Sequence, residues 1–155
     1  MATQNMNQFK QSTVVGELDL QTSANPAVFT VLLSPESATT GMVPGEGVKL
    51  VDLGASDFRG INPIVDVRAL DADAIFGVKV FNTKKNSNVA GEVIQIAGKG
   101  AAIWLNAGAA ILRGASVDLV LATPGNVVMA DGATVLGVAL DKATAADQLI
   151  RVLIQ

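Results

Sequence analysis

The side chains that could carry chemistry in this chain are few, because histidine, cysteine and tyrosine are all absent. Histidine is the usual acid–base group near neutral pH and the commonest metal ligand. Without these three, catalysis would fall to Asp, Glu, Lys, Ser or Thr. Asp71 and Asp73, with Asp66 nearby, are the densest carboxylates of their region. Carboxylates bind hard cations, but an EF-hand loop also needs further oxygen ligands, a fixed glycine and a terminal Glu. These are missing, so the three aspartates read as strand and turn residues. Ala97-Gly98-Lys99-Gly100-Ala101 has the glycines and lysine of a phosphate cradle. It lacks the full spacing and the hydroxyl residue of a P-loop, and it reads as a β-turn between strands. Trp104 is the single tryptophan; in an apolar strand such a ring belongs to a core or a subunit interface. Lys84-Lys85 is the longest basic run and reads as a solvated loop tip able to meet an acidic surface. No catalytic residue, cofactor or metal site is expected.

A second cluster, Ser56-Asp57-Phe58-Arg59-Gly60, resembles part of a motif of the trimeric dUTPases, which are also β-rich. In that family an Asp two residues before the motif's own Asp activates water. Here that position is Ala55, and the nucleotide-stacking Tyr and the other family motifs are missing. The match is confined to five residues, and no role is carried over from it.

The elements that must position these residues are β-strands. The 155 residues suffice for one domain with a proper core. Half of the chain is hydrophobic and 16% is charged, yet only 4% is aromatic, so the core is built from Val, Ile, Leu and Ala. Fifteen glycines cut the apolar runs into short pieces. The net charge of −3 offers nucleic acid no dense positive field. The first residues lack the apolar core and basic lead of a signal peptide, and no apolar stretch is long enough to span a bilayer. A protein made in a cytoplasm, with neither nucleic acid nor membrane as partner, is expected.

Residues 1–12 form a Gln/Asn-rich arm whose one aromatic, Phe9, stands beside Lys10. This arm reads either as a frayed terminus or as a segment that orders only on a partner surface, since fixing it costs about 1–2 kcal/mol per residue in backbone entropy. Residues 13–155 are expected to form a single β-rich domain. Alternation and turn signals place strands over 13–20, 28–33, 48–53, 64–68, 74–81, 91–97, 102–105, 117–122, 127–130, 135–140 and 149–154. Phe76, Val78 and Val80 are expected on one face, and 82–88 as a hairpin tip. Thr123-Pro124-Gly125-Asn126 carries the Pro and Gly of a type II turn. The alanines of 141–147 allow one helical turn. The result is an all-β fold, an antiparallel barrel or sandwich of short strands with an N-terminal arm and little helix.

Residues 91–154 resemble the capsid decoration (cement) proteins of tailed bacteriophages. The shared pattern is carried by Ala107-Gly108-Ala109, Gly114, Val117-Asp118-Leu119-Val120, Pro124-Gly125, Gly137-Val138-Ala139-Leu140, the Ala-rich 143–146 and Ile150-Arg151-Val152-Leu153. With its Gln/Asn-rich start, the whole chain is similar to structural cement proteins of large Pseudomonas-type myophages. The resemblance implies a non-enzymatic virion protein that binds the major capsid protein on the outside of a mature head and stabilises the joints between capsomers. A homo-oligomer is expected, a trimer before a dimer. Phe9, Lys10, Lys84, Lys85 and Trp104 are the expected interface residues. A tail- or fibre-associated virion β-domain is the alternative, followed by a small trimeric hydrolase.

Overall fold

A computed structural model describes residues 14–19, 27–51, 62–132 and 134–155. The arm with Phe9 and Lys10, and the segment Ser56 to Gly60, lie outside the described residues. Among the described residues there are ten strands and no helix. The first five are β1 (Val28–Leu33), β2 (Gly47–Leu50), β3 (Ile64–Val67), β4 (Gly77–Lys79) and β5 (Val93–Ala97). The second five are β6 (Ala102–Ala107), β7 (Ser116–Leu119), β8 (Asn126–Met129), β9 (Gly137–Ala139) and β10 (Leu149–Ile154). Each set closes into its own barrel, in the orders β1-β3-β2-β4-β5 and β10-β6-β8-β7-β9. The all-β barrel is therefore the correct member of the expected pair. The strands are short because Gly, Pro and Asn interrupt them; closure leaves the barrels without long free edges.

The two barrels are one motif used twice. β1 pairs with β3 in parallel and β6 pairs with β8 in parallel, while every other ladder is antiparallel. The registers coincide residue by residue. Val48↔Val67 in the first barrel matches Val117↔Met129 in the second, and Val78↔Ala97 matches Val138↔Leu153. Even the isolated bridge Met42↔Asn88 has its counterpart in Ile111↔Ala143. Both barrels also carry the same β-bulge. The Phe76 N–H reaches the Val48 carbonyl at 2.7 Å although Gly77 is Val48's partner, and Leu136 does the same to Val117 at 2.9 Å beside Gly137. A Cβ on Gly137 would lie 1.9 Å from the Leu153 carbonyl oxygen, so only glycine fits there.

The barrels pack against each other through one shared core. Val31, Leu33, Met42, Val48, Val65, Ile94 and Ile96 fill the first barrel. Val78, Val80 and Ala97, on the outer face of that barrel, join the buried cluster of the second. That is why all three residues of β4 are buried, with Val78 turned outward and Lys79 inward by strand alternation. Lys99-Gly100 is the turn that links the barrels, with the Ala101 N–H donating to Gly98 O at 3.1 Å. Residues 14–19 strap the joint. Gly16 N–H donates to Trp104 O at 2.8 Å, while Phe81 N–H donates to Gly16 O at 2.8 Å.

Three local expectations are corrected. Residues 14–19 make only one bridge, Leu18↔Ile103, because a turn at Val15-Gly16 breaks the alternating run expected as a strand. Residues 141–147 contain no helical turn, because Ala143 commits both its N–H and its carbonyl to Ile111. Phe76 does not share a face with Val78 and Val80: the bulge turns it toward the first barrel's core, while those valines serve the second. The turn at 123–126 has the expected form, with Gly125 at φ 81° and Asn126 N–H donating to Thr123 O at 3.1 Å.

Candidate interaction surfaces

The aspartates that could have suggested a cation site do not converge. Asp73 accepts from Lys49 Nζ at 3.0 Å and from the Ala69 and Leu70 N–H groups, and the Lys49 bond holds its carboxyl below the usual range. Asp66 accepts from the Ser37 hydroxyl and the Val67 N–H. Asp71 points mostly into solvent. Among the described residues no three carboxylates gather to hold a metal.

The strongest polar constellation is the joint between the barrels. Arg68, its side chain fully buried, forks onto Asp118 with both Nη1–Oδ1 and Nη2–Oδ2 at 2.9 Å. Its Nη2 also donates to Asp71 O and to the Thr134 hydroxyl, each at 2.7 Å. Burial pushes the Asp118 carboxyl up, but Arg68, Thr134 and the Leu119 N–H outweigh it and hold it below the usual range. A bidentate pair of this kind fixes orientation as well as energy. Its members stand fifty residues apart, so no local pattern could have announced it.

Of the expected interface residues, the described ones fall in two places. Trp104 lies half-buried on β6 with the Arg151 guanidinium 5.7 Å from its ring centre. Arg151 in turn bonds Asp141 at 2.7 and 2.8 Å and reaches Asp19 at 3.5 Å. The Asp141 carboxyl is held low by Arg151, whose own pKa is raised. Lys84 and Lys85 are exposed in the loop after β4 of the first barrel. Lys85 pairs with Glu92, whose carboxyl drops to about 2 through that bond and those of Val89 N–H and Asn88. Lys79, Lys85, Asn88 and Glu92 help line an open groove of about 450 Å³. No described contact joins Trp104 to the two lysines.

One surface was missed by sequence reading. At one end of the first barrel Phe29 and Phe76 sit 6.0 Å apart, and Leu50, Ile75 and Phe76 help line a cavity of about 310 Å³. Phe29 is 43% exposed and Leu50 56%. Their counterparts in the second barrel, Ile103 and Leu119, are 0% and 6% exposed, and Leu136, the counterpart of Phe76, is 1%. The only local signal was a pair of phenylalanines, Phe29 in β1 and Phe76 just before β4, among aliphatic neighbours.

No protein-family model matches the chain, and no curated protein matches it significantly. Among solved structures it is similar to the N base of head fibre gp8.5 of bacteriophage phi29, with a TM-score of 0.52 and 19% identity. The match covers 84% of this chain and 94% of that one. The chain thus shares its fold with the base of a phage head fibre.

Proposed function

We propose that this chain is a non-enzymatic structural protein of a tailed-phage virion, and that it acts as a decoration (cement) protein on the outside of the mature head. The observation that carries the reading is the fold shared with a head-fibre base over nearly the whole of both chains. The architecture supports it. Two barrels locked by a shared core and a buried Arg68–Asp118 fork make a rigid body that presents its surfaces at fixed spacing. Such a body supplies contact area at joints between capsomers, and many copies add avidity without strong single contacts. The major capsid protein is the proposed partner. A homo-oligomer, a trimer before a dimer, suits the local threefold joints of a shell.

The same fold match favours a second reading, in which the chain is the base of a head fibre or a tail-associated domain. Electron-microscopic reconstruction of the particle that carries the chain separates the two. Density repeated over the capsomer joints, in hundreds of copies, is the expected result. Head density that continues outward into a fibre, a handful of copies at the tail, or none on the head would overturn the cement reading.

A further inference from the structure

The duplicated barrel makes one of its own contacts reusable. Within the chain, the outer face of the first barrel at Val78, Val80 and Ala97 closes the end of the second barrel at Ile103, Leu119 and Leu136. Gly47 presses so closely that a Cβ on it would stand 2.7 Å from Leu119 Cδ1. The register pairs each of these residues with a counterpart in the other barrel. Val138, Leu140 and Leu153 occupy the positions of Val78, Val80 and Ala97, and all three are only half-buried. Phe29, Leu50 and Phe76 occupy the positions of Ile103, Leu119 and Leu136, and they form the open end with its 310 Å³ cavity. The chain therefore shows one used copy of this contact, and it carries both halves of a second copy.

We propose that a second copy of this chain seats the outer face of its second barrel, around Val138, Leu140 and Leu153, on the open end of the first barrel at Phe29, Leu50 and Phe76. The rim of the open end differs in charge from that of the used contact, with Lys49 already bonded to Asp73 at 3.0 Å. The first barrel carries Lys49 where the second carries Asp118, and the second carries Ala130-Asp131 where the first carries Arg68-Ala69. The two halves cannot meet within one chain, since they lie on different barrels that already face each other through the used contact. Copies joined this way associate head to tail, and such a heterologous contact closes as a ring when its rotation permits. The inference rests on the proposed homo-oligomer and names the surface that forms it.

The test uses the purified full chain and sedimentation equilibrium. The wild type should associate. Leu50→Asp and Leu153→Asp should each weaken association about thirtyfold or more, as removal of a central apolar anchor does. Mixed together, the two variants should form a one-to-one pair, because one keeps a sound outer face and the other a sound open end. Val138→Lys serves as the second outer-face variant if Leu153→Asp melts early. A wild type that stays monomeric would overturn the proposal. Folded variants that both lose association yet fail to pair would also overturn it. Because no virion is involved, failure here leaves attachment to the head as a separate question.

Discussion

The two barrels share a backbone and differ in what fills and surrounds it. The second is apolar throughout, and Ala139 stands on its inner face. The first places Lys79 at the same position, fully buried, with its Nζ donating to Asn86 O at 3.1 Å. Asn86 belongs to the loop 81–87, whose counterpart in the second barrel is only 141–142. The loop 34–41 likewise stands against 108–110. The longer connections of the first barrel supply the polar partners that its inner lysine needs. The second barrel also has the strap 14–19 along β6 and the first barrel over its end; among the described residues neither has a counterpart on the first. Backbone register is thus set by bulges and turns, while side chains and loops are free to diverge on it.

The largest expected effect comes from cutting the joint. Arg68→Ala should cost about 3–5 kcal/mol of unfolding free energy, because it strands the Asp118 carboxylate beside a buried space. Denaturant melts measure it. Asp118 is held below the usual carboxylate range, so its contribution is full above that range and is lost as pH falls through the folded-state value. The wild type should lose stability on the acid side more steeply than Arg68→Ala.

Next comes a matched pair of positions. Ile103→Ala in the second barrel should cost about 2–5 kcal/mol, the range for emptying a sealed core site. Phe29→Ala, at the equivalent position of the first, should cost less than about half as much, because Phe29 is already partly in water. The comparison is made in the non-associating Leu153→Asp background, where no second copy covers the open end; in the associating wild type the two costs should lie closer together.

Lys79→Met should be neutral or about 1 kcal/mol stabilising, as a hydrophobe of similar volume replaces a buried charge. Burial lowers the Lys79 pKa against the opposing pull of Glu46 and Glu92. Its folded value lies below the unfolded one, so the penalty is full at neutral pH and is relieved as pH climbs toward 10.5. Stability of the wild type should therefore rise with pH on the alkaline side, and that slope should be smaller in Lys79→Met.

The smallest effect concerns a turn. Asp147 sits at φ 62° where the first barrel has Gly91 at φ 81°. Asp147→Gly should stabilise by up to about 1 kcal/mol in thermal melts.

The strand layout was largely legible in the sequence. β1 and β10 carry the residues that alternation placed at 28–33 and 149–154, and the Pro124-Gly125 turn followed from its residue types. The repeat was not legible. The barrels share Gly45 with Gly114, Val48 with Val117, Gly77 with Gly137, Val78 with Val138 and Ile94 with Ile150, but loops of different length separate these matches. The mistaken helical turn at 141–147 followed from alanine propensity, which a tertiary bridge at Ala143 overrides. The open end of the first barrel escaped notice because exposure at Phe29 and Leu50 depends on which neighbour covers each barrel. No local pattern records that.

The central claim, that the chain stabilises a phage head by binding its outside, is tested most directly by heating heads with and without it. A ligand bound to the intact shell alone raises the shell's apparent stability. Heads lacking the chain should release their DNA at a lower temperature, and adding the purified chain back should restore the original value. Heads that open at the same temperature with and without it would contradict the account.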